Sequence, residues 1–468
     1  MNHHFTTPDW VRDAVVYEIF PERFCNGDVS NDPEAARRWT GRPGRTSFFG
    51  GDLQGVIDRL DYLEDLGVTC VYLTPVFSSP SNHKYDTTDY FRVDPAFGSN
   101  ALLCDLAQRL HRRGIRIILD GVFSHVGDSF PAFQDVLAKG GASPYRDWFK
   151  IDGFPIRRRP SPNYRACGGL ASMPRLNTGN AEVRSLLLQV GEHWIKVADI
   201  DGWRLDMPWE LSHDFWRSFR KVVKEAKAEA FLLGELWGDA SSWLRGDQFD
   251  SAMNYRWREI VLRFFVTQCI DARTFVREIY SLREDYGPMS ETMVNLVGSH
   301  DTPRLLTLCR GHVGKAVQVL TFLLTDIGVP LIYYGDEVGL TGGNDPACRA
   351  AMPWSQQQWN MRIYSSCRAL ANIRRRHPAL RRGDFRLLKA HGRLLVFSRR
   401  FEEDMVLVAL NAGFQTEVTE MALPEKMRSR VLGTWHSPSD ICPCSIDGGR
   451  VRLLLPPSGA CLVFADDT

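Results

Sequence analysis

Eight short runs of β-branched and other apolar residues, each followed by a helical pattern, fill the first 376 residues of this chain. The runs are Val15–Phe20, Cys70–Val76, Arg116–Phe123, Gly202–Met207, Ala230–Leu236, Phe249–Asn254, Met293–Ser299 and Val329–Tyr334. Between them lie amphipathic stretches such as Leu53–Leu66, Leu102–Arg113 and Val183–Val197. In the first, Leu53, Val56, Ile57, Leu60, Leu63 and Leu66 recur at three- and four-residue steps and mark one helix face. Gly67 and Gly114 supply stop signals. Strict strand–helix alternation predicts a parallel sheet, and eight units predict closure into an α/β barrel of the (β/α)8, or TIM-barrel, type.

The third unit is interrupted. From His125 to Asn177 the chain is rich in Pro, Gly, Arg and aromatic residues and is too long for a simple strand-to-helix loop. It is read as a small subdomain inserted above the barrel. After about residue 380 the rhythm changes to short strands with turns: Phe385–Leu388, Leu394–Arg399, Met405–Asn411, Val451–Leu455 and Ala460–Phe464. That pattern predicts a C-terminal antiparallel β-sandwich. The expected organisation is a barrel over 1–124 and 178–378, an insertion over 125–177 and a sandwich over 379–468. At 468 residues the chain is too long for one compact core.

Charge narrows the partners. With 57 basic and 56 acidic residues the formal net charge is +1, so no nucleic-acid or anionic-membrane footprint is expected. No apolar run approaches the ~18 residues of a membrane span. The start, MNHHFTTPDWVRDAV, lacks the basic and apolar blocks of a secretory signal. Eleven cysteines are scattered, and the one close pair, Cys442-Pro-Cys444, is too tight for common metal or redox spacings. Free thiols in a reducing cytoplasm are expected.

Ionisable residues collect where the strand runs end: DGVFSH (Asp120–His125), GWRLD (Gly202–Asp206), GELW (Gly234–Trp237) and GSHD (Gly298–Asp301). In a barrel these ends meet at one face, which needs no charge for stability. Arg204 and Asp206 are two apart and face the same side of a strand. The guanidinium is expected to keep Asp206 ionised, fit to attack an anomeric carbon. A structural ion pair would look the same in sequence. Glu235 sits between AFLLG and Leu236-Trp237, surroundings that favour a protonated carboxyl able to donate to a leaving oxygen. With Asp301 these residues form the carboxylate set that glycosidic cleavage uses. Oxygen donors also cluster at Asn26, Asp28, Asn31, Asp32 and Asp52, as in a calcium site or, equally, a turn. Aromatic residues near the strand ends, Tyr85, Phe123, Trp203, Trp209, Trp237, Tyr255 and Trp354, suit sugar stacking or core packing.

Taken together, DGVFSH, GWRLDMPWE, GELW and GSHD resemble the four conserved segments of the α-amylase family, glycoside hydrolase family 13. GGDLQGVIDRLDYLEDLG, SPSNHKYDTTDYFRVDPAFG, SMPRLNTGN, WLRGDQFDSAMNY and YYGDEVGLTGGNDPACR extend the resemblance to its cyclomaltodextrinase, neopullulanase and maltogenic amylase subfamily. The resemblance implies that Asp206 is the nucleophile, Glu235 the general acid/base and Asp301 the transition-state stabiliser. It further implies that Arg204, His125 and His300 hold the reacting sugar, that Tyr85 stacks on it, and that Asp120 supports the site. Asp345 and Arg349 would hold the next sugar on the non-reducing side, and Trp209 and Glu210 the acceptor side. A structural calcium ion would sit on Asn26, Asp28, Asn31, Asp32, Gly50 and Asp52.

The chain departs from that subfamily in four respects. The barrel begins without the family's N-terminal β-domain, so a homodimer would have to use another mode. Ser124 replaces the usual Asn, Pro208-Trp209-Glu210 replaces ANE, and Gly238 replaces a common His. Three changes beside the scissile bond imply a small cyclic or branched oligosaccharide substrate, such as a cyclodextrin, a cyclic maltosyl-maltose ring with α-1,6 links or a pullulan fragment. The resemblance thus implies a retaining α-glucan hydrolase that releases maltose or short linear maltooligosaccharides. The alternatives are a transglycosylase using the same covalent intermediate and a non-catalytic glycan-binding relative.

Overall fold

The computed structural model describes residues 7–423, 427, 432–438 and 444–465. Cys442 and the first six residues, on which two of the expectations above rest, lie outside that range. The eight predicted runs all contain strands: Val16–Ile19, Cys70–Leu73, Arg116–Gly121, Gly202–Leu205, Phe231–Gly234, Ser251–Ala252, Val294–Leu296 and Val329–Tyr333. They form one sheet in which the sixth, fifth, fourth, third, second, first, eighth and seventh lie side by side. The pairings are parallel; Val16, for example, sits opposite Cys70 on one side and Leu331 on the other. A parallel bridge between Met253 and Val294 brings the sixth strand to the seventh and closes the circuit.

The strands are shorter than the apolar runs at their C-terminal ends. Asp206 and Glu235 follow the last paired residues of the fourth and fifth strands, and each retains one ladder bond, Asp206 N–H to Gly121 O (3.1 Å) and Glu235 N–H to Leu205 O (3.0 Å). Strand alternation separates two apolar sets. Val16, Tyr72, Ile118, Leu233, Leu296 and Leu331 fill the barrel interior. Tyr17, Ile19, Val71, Ile117, Trp203 and Leu232 face the surrounding helices.

Helices Asn100–Arg112 and Ala181–Ala198 fall where the periodicity predicts them, and Gly67 (φ 92°) and Gly114 (φ 69°) end theirs in the left-handed region. The predicted Leu53–Leu66 helix is instead two, Leu53–Ile57 and Leu60–Leu66. Its first turn is tied to the 25–28 loop: Asp52 caps it, and a Cβ on Gly55 would lie 1.9 Å from the Cys25 carbonyl. Beyond the break at Arg59, whose guanidinium lies 4.2 Å over the Trp354 ring, Tyr62 packs on Tyr364 and Trp354.

Between the third strand and helix Ala181–Ala198 the chain forms a helix, Pro131–Lys139, and a set of short bridges. Phe133 packs edge-on against Phe149 (4.9 Å) and Tyr164 (5.1 Å), within the same apolar cluster that lies between strands and helices of the barrel. The bridges His125–Arg175 and Ala166–Pro174 return the segment across the C-terminal face of the barrel.

The C-terminal part is a sandwich of antiparallel sheets. One has five strands, in the order 384–391, 394–401, 404–411, 460–465, 432–436, and the other three, in the order 417–422, 450–455, 444–447. Val396, Leu407 and Val463 face Val451, Leu453 and Leu455 between them. Three of these strands, Glu417–Ala422, Leu432–His436 and Cys444–Asp447, carry mostly half-exposed or exposed residues and so lack the apolar signal that marks the others. Phe397 meets Phe322 of the barrel's outer layer at 6.0 Å, and Arg399 Nη1 donates to Thr325 O at 2.7 Å.

Candidate active site

The carboxylates at the strand ends converge on one guanidinium. Arg204 is fully buried on the fourth strand. Its Nη1 donates to both oxygens of Asp120 (3.0 and 2.9 Å) and to Asp206 Oδ1 (3.0 Å), and its Nη2 lies 3.0 Å from Glu235 Oε2. Glu235 also accepts the Met207 N–H at Oε2 (3.1 Å) and the Trp237 indole N–H at Oε1 (3.0 Å). The Trp237 ring is held by a face-to-face stack on Tyr255, 3.7 Å between centroids.

One positive charge among three buried carboxylates leaves the cluster short of compensation. Burial, then the charge of Glu235, push Asp206 well above the usual carboxylate range, with Arg204 pulling it down. The expectation that Arg204 keeps Asp206 ionised therefore needs correction: the guanidinium is shared with Asp120 and Glu235, so its pull on Asp206 is divided.

A second group surrounds His300. Its Nε2 lies 2.6 Å from the Tyr85 hydroxyl and 3.1 Å from Asp301 Oδ2. The Tyr85 ring stacks on the imidazole, 5.5 Å between centroids, and its hydroxyl donates to Asp120 Oδ2 at 3.0 Å. Arg349 joins Asp301 (3.0 Å) to Asp345 (3.1 Å). Burial would raise Asp301, but the neighbouring His300 and Arg349 outweigh it and hold the carboxyl well below its usual range. His125 is buried with Nδ1 2.8 Å from Ser124 Oγ, and its Nε2 has no protein partner.

A cavity of about 300 Å³ gathers Tyr85, His125, Asp206, Glu235, His300, Asp301, Asp345 and Arg349 on its wall. Arg45, His83, Met207 and, from the segment after the third strand, Cys167, Leu170 and Met173 also line it, and Cys167 Sγ lies 3.9 Å from Met207 Sδ. Asp120 and Arg204 lie beneath it, reached through their hydrogen bonds. Trp209 and Glu210 do not line this cavity. They form a turn just past Met207, where Glu210 is clamped by Arg175 (Nη2 to Oε1 2.9 Å) and Trp209 is half-exposed. Phe123 and Trp203 are fully buried against each other, and Trp354 is packed between Phe24 and Tyr62, so these three belong to the core.

The sequence reading missed the wall residues Arg45, His83, Cys167, Leu170, Met173 and Met207, and two contributors to the hydrogen-bond network beneath them. Glu18 of the first strand accepts from His300, and the Tyr72 hydroxyl donates to Asp120 Oδ2 at 2.5 Å. An acid at an inward position of the apolar run VVYEIF was the available signal for Glu18.

The oxygen donors of the 26–52 region also come together. Asn26 Nδ2 donates to Asp32 Oδ1 (2.7 Å), and Asn31 Nδ2 to Asp52 Oδ2 (3.1 Å). The side-chain oxygens of Asn26 and Asn31 are buried without a partner, which fits a hard cation. Gly50 (φ 84°) lies so close that a Cβ there would meet Asp32 Oδ1 at 2.1 Å. Asp52 fits less well as a direct ligand, since its two oxygens already accept from Gly27, Gly55, Asp28 and Asn31. Among the described residues no cluster of three or more His, Cys, Asp or Glu side chains could hold a metal, so this set leans on amide and carbonyl oxygens.

Residues 18–369 match the family described as Alpha amylase, catalytic domain. A cyclomaltodextrinase from Geobacillus thermopakistaniensis is 48% identical over 432 residues, covering 92% of this chain and 73% of that protein. Neopullulanase 2 from Thermoactinomyces vulgaris is 47% identical, covering 90% and 73%. Among solved structures, a cyclic α-maltosyl-(1→6)-maltose hydrolase from Arthrobacter globiformis superposes with a TM-score of 0.90 at 38% identity, covering 98% of this chain and 100% of its own. The eight-stranded barrel, the carboxylates at its strand ends and these likenesses agree: the chain belongs to the α-amylase family of glycoside hydrolases, enzymes acting on α-glucans.

Proposed function

We propose that the protein is a retaining hydrolase of small cyclic or branched maltooligosaccharides, with rings containing α-1,6 links as the preferred substrate and maltose or short linear maltooligosaccharides as products. The observation that carries this reading is the convergence of Asp206, Glu235 and Asp301 on one cavity that Cys167, Leu170 and Met173 help to line. The end-to-end likeness to a hydrolase of cyclic maltosyl-maltose supports the same substrate class.

In the proposed mechanism Glu235 carries a proton in the productive complex. Glu235 gives it to the glycosidic oxygen while Asp206 attacks C1, forming a β-glucosyl enzyme. Glu235 then takes a proton from water, which opens the intermediate with net retention of the α configuration. Asp301 and His125 grip sugar hydroxyls, His300 orients Asp301 and Tyr85 beside them, and Arg349 and Asp345 extend the grip to the next sugar. Trp209, past the reacting carboxylates, offers an indole face to the acceptor side.

The same proposal includes a structural calcium ion on Asn26, Asp28, Asn31, Asp32 and the Gly50 carbonyl, with Asp52 organising the loop around it. It also includes a cytoplasmic location, supported by the buried thiols Cys25, Cys70, Cys309, Cys348 and Cys367. Among the described residues no helix is long and apolar enough to cross a membrane. The half-exposed Trp209 and Trp237 favour transglycosylation as the second reading, because apolar ring faces can hold a sugar acceptor in place of water.

A product time course on a cyclic tetrasaccharide with alternating α-1,4 and α-1,6 links, β-cyclodextrin, pullulan, soluble starch and maltotetraose tests the proposal. Fast attack on a ring and slow attack on starch are expected. Preference for starch would overturn the ring assignment, and products longer than the substrate would favour the transferase.

A further inference from the structure

The first barrel strand carries an acid into the barrel interior. Strand alternation turns Val16 and Glu18 inward, and Glu18 is fully buried. A buried carboxylate is costly unless its oxygens are bonded. Oε1 of Glu18 accepts the ring Nδ1–H of His300 at 2.6 Å and the backbone N–H of the same residue at 3.1 Å, while Oε2 has no partner. At the other edge of the ring, Nε2 faces the Tyr85 hydroxyl and Asp301 Oδ2. Both ring nitrogens therefore point at carboxylates, an arrangement that holds a proton on each.

We propose that Glu18 is a positioning residue that keeps the His300 ring doubly protonated and thereby fixes the donor direction of the chain running from His300 through Tyr85 and Asp120 to Arg204. With Nε2 a donor, the Tyr85 oxygen accepts from it and the Tyr85 hydroxyl proton is free for Asp120. Were Nε2 an acceptor, the hydroxyl would turn toward it and Asp120 would lose that bond. Asp120 in turn occupies the guanidinium that also holds Asp206 and Glu235. The catalytic consequence rests on the roles proposed above for those two carboxylates.

The groups facing His300 agree in sign. Glu18 comes from the first strand, Asp301 from the loop of His300 itself and Asp120 from the third strand. Arg349 and the Cys348 thiol both donate to the His300 carbonyl, at 2.8 and 3.2 Å, and leave the ring to the acids. Burial works against the charged ring, but Asp301 and Glu18 outweigh it and raise His300 to about 10.

The experiment is ¹⁵N NMR of protein labelled at histidine, with the His300 signals assigned by their loss in His300→Asn. Both ring nitrogens of His300 are expected to be protonated at pH 8 in the wild type. In Glu18→Gln, which keeps the shape and an acceptor but removes the charge, the second proton is expected to leave at least one pH unit lower. A neutral His300 ring in the wild type at pH 8, or an unchanged titration in Glu18→Gln, overturns the proposal. If Glu18→Gln does not fold, the wild-type spectrum alone decides. In parallel, kcat/KM on the ring substrate is expected to fall about 10-fold or more in Glu18→Leu, one lost hydrogen bond's worth of transition-state stabilisation, with Glu18→Gln in between. A kcat/KM within twofold of wild type in a folded Glu18→Leu would also overturn it. Because the spectrum needs no turnover, a wild type inactive on every α-glucan would defeat the catalytic reading while the Glu18–His300 assignment was still decided.

Discussion

Replacing His125 by Leu should make the protein more stable and less active. The ring is 2% exposed, and its Nε2 is buried without a partner. The Ser124 hydroxyl, 2.8 Å from Nδ1, can donate to that nitrogen and so leave the proton on Nε2, facing the cavity. A buried donor left unpaired costs about 1–3 kcal/mol, a cost that a sugar hydroxyl would relieve on binding. Burial first, then the Arg175 charge, lower His125 to about 4, so the ring is neutral at neutral pH. Its pKa is lower folded than unfolded (about 6.5), so the folded protein binds the proton more weakly. The associated stability is complete above pH 6.5 and is lost as pH falls through 4, a loss of about 3 kcal/mol. His125→Leu removes the unpaired donor and this titration together. We expect a gain of about 1 kcal/mol at pH 7, after the lost Ser124 bond is counted, and a shallower decline toward pH 4. We expect kcat/KM on the ring substrate to fall about 10- to 100-fold, since about 1.4 kcal/mol of lost transition-state contact is tenfold in rate. Urea midpoints at pH 7 and about pH 4.5, with kcat/KM at pH 7, test both signs. A variant less stable at pH 7, with an unchanged pH slope and undiminished kcat/KM, would refute the reasoning.

His300 gives the opposite pH dependence. Its folded pKa of about 10 lies above the unfolded value, so its contribution is complete below about pH 6.5 and is lost as pH rises toward 10, up to about 5 kcal/mol. His300→Asn should flatten the stability profile across that window, as read by thermal melts at stepped pH. Asp206→Asn and Glu235→Gln should each lower kcat by about 10⁴-fold or more, with sugar binding by calorimetry retained. Chelation should lower the melting temperature and added calcium restore it, an effect that Asn26→Ala with Asn31→Ala should abolish; an unchanged melt would count against the ion.

The barrel was legible because eight apolar runs alternate with helical periodicity, and fold class follows from that rhythm. The site was legible because barrel strand ends meet, so that Asp206, Glu235 and Asp301 could be grouped from sequence although they span nearly a hundred residues. What could not be read was the sharing of charges. Arg204 beside Asp206 in sequence suggested a simple ion pair, but Asp120 and Glu235 reach the same guanidinium from other strands. Glu18 is distant in sequence from every motif and meets His300 only through the pairing of the first strand with the eighth and of the eighth with the seventh. Trp203 and Phe123 lie among the motif residues yet face outward into the helices, because alternation sends every second side chain away from the site.

The most direct test of the central claim is the anomeric configuration of the first product. Proton NMR during early hydrolysis of the cyclic tetrasaccharide resolves the new reducing end before mutarotation blurs it. The account predicts the α-anomer first, as double displacement through Asp206 requires. The β-anomer first would mean single displacement by water and would contradict the roles assigned to Asp206 and Glu235.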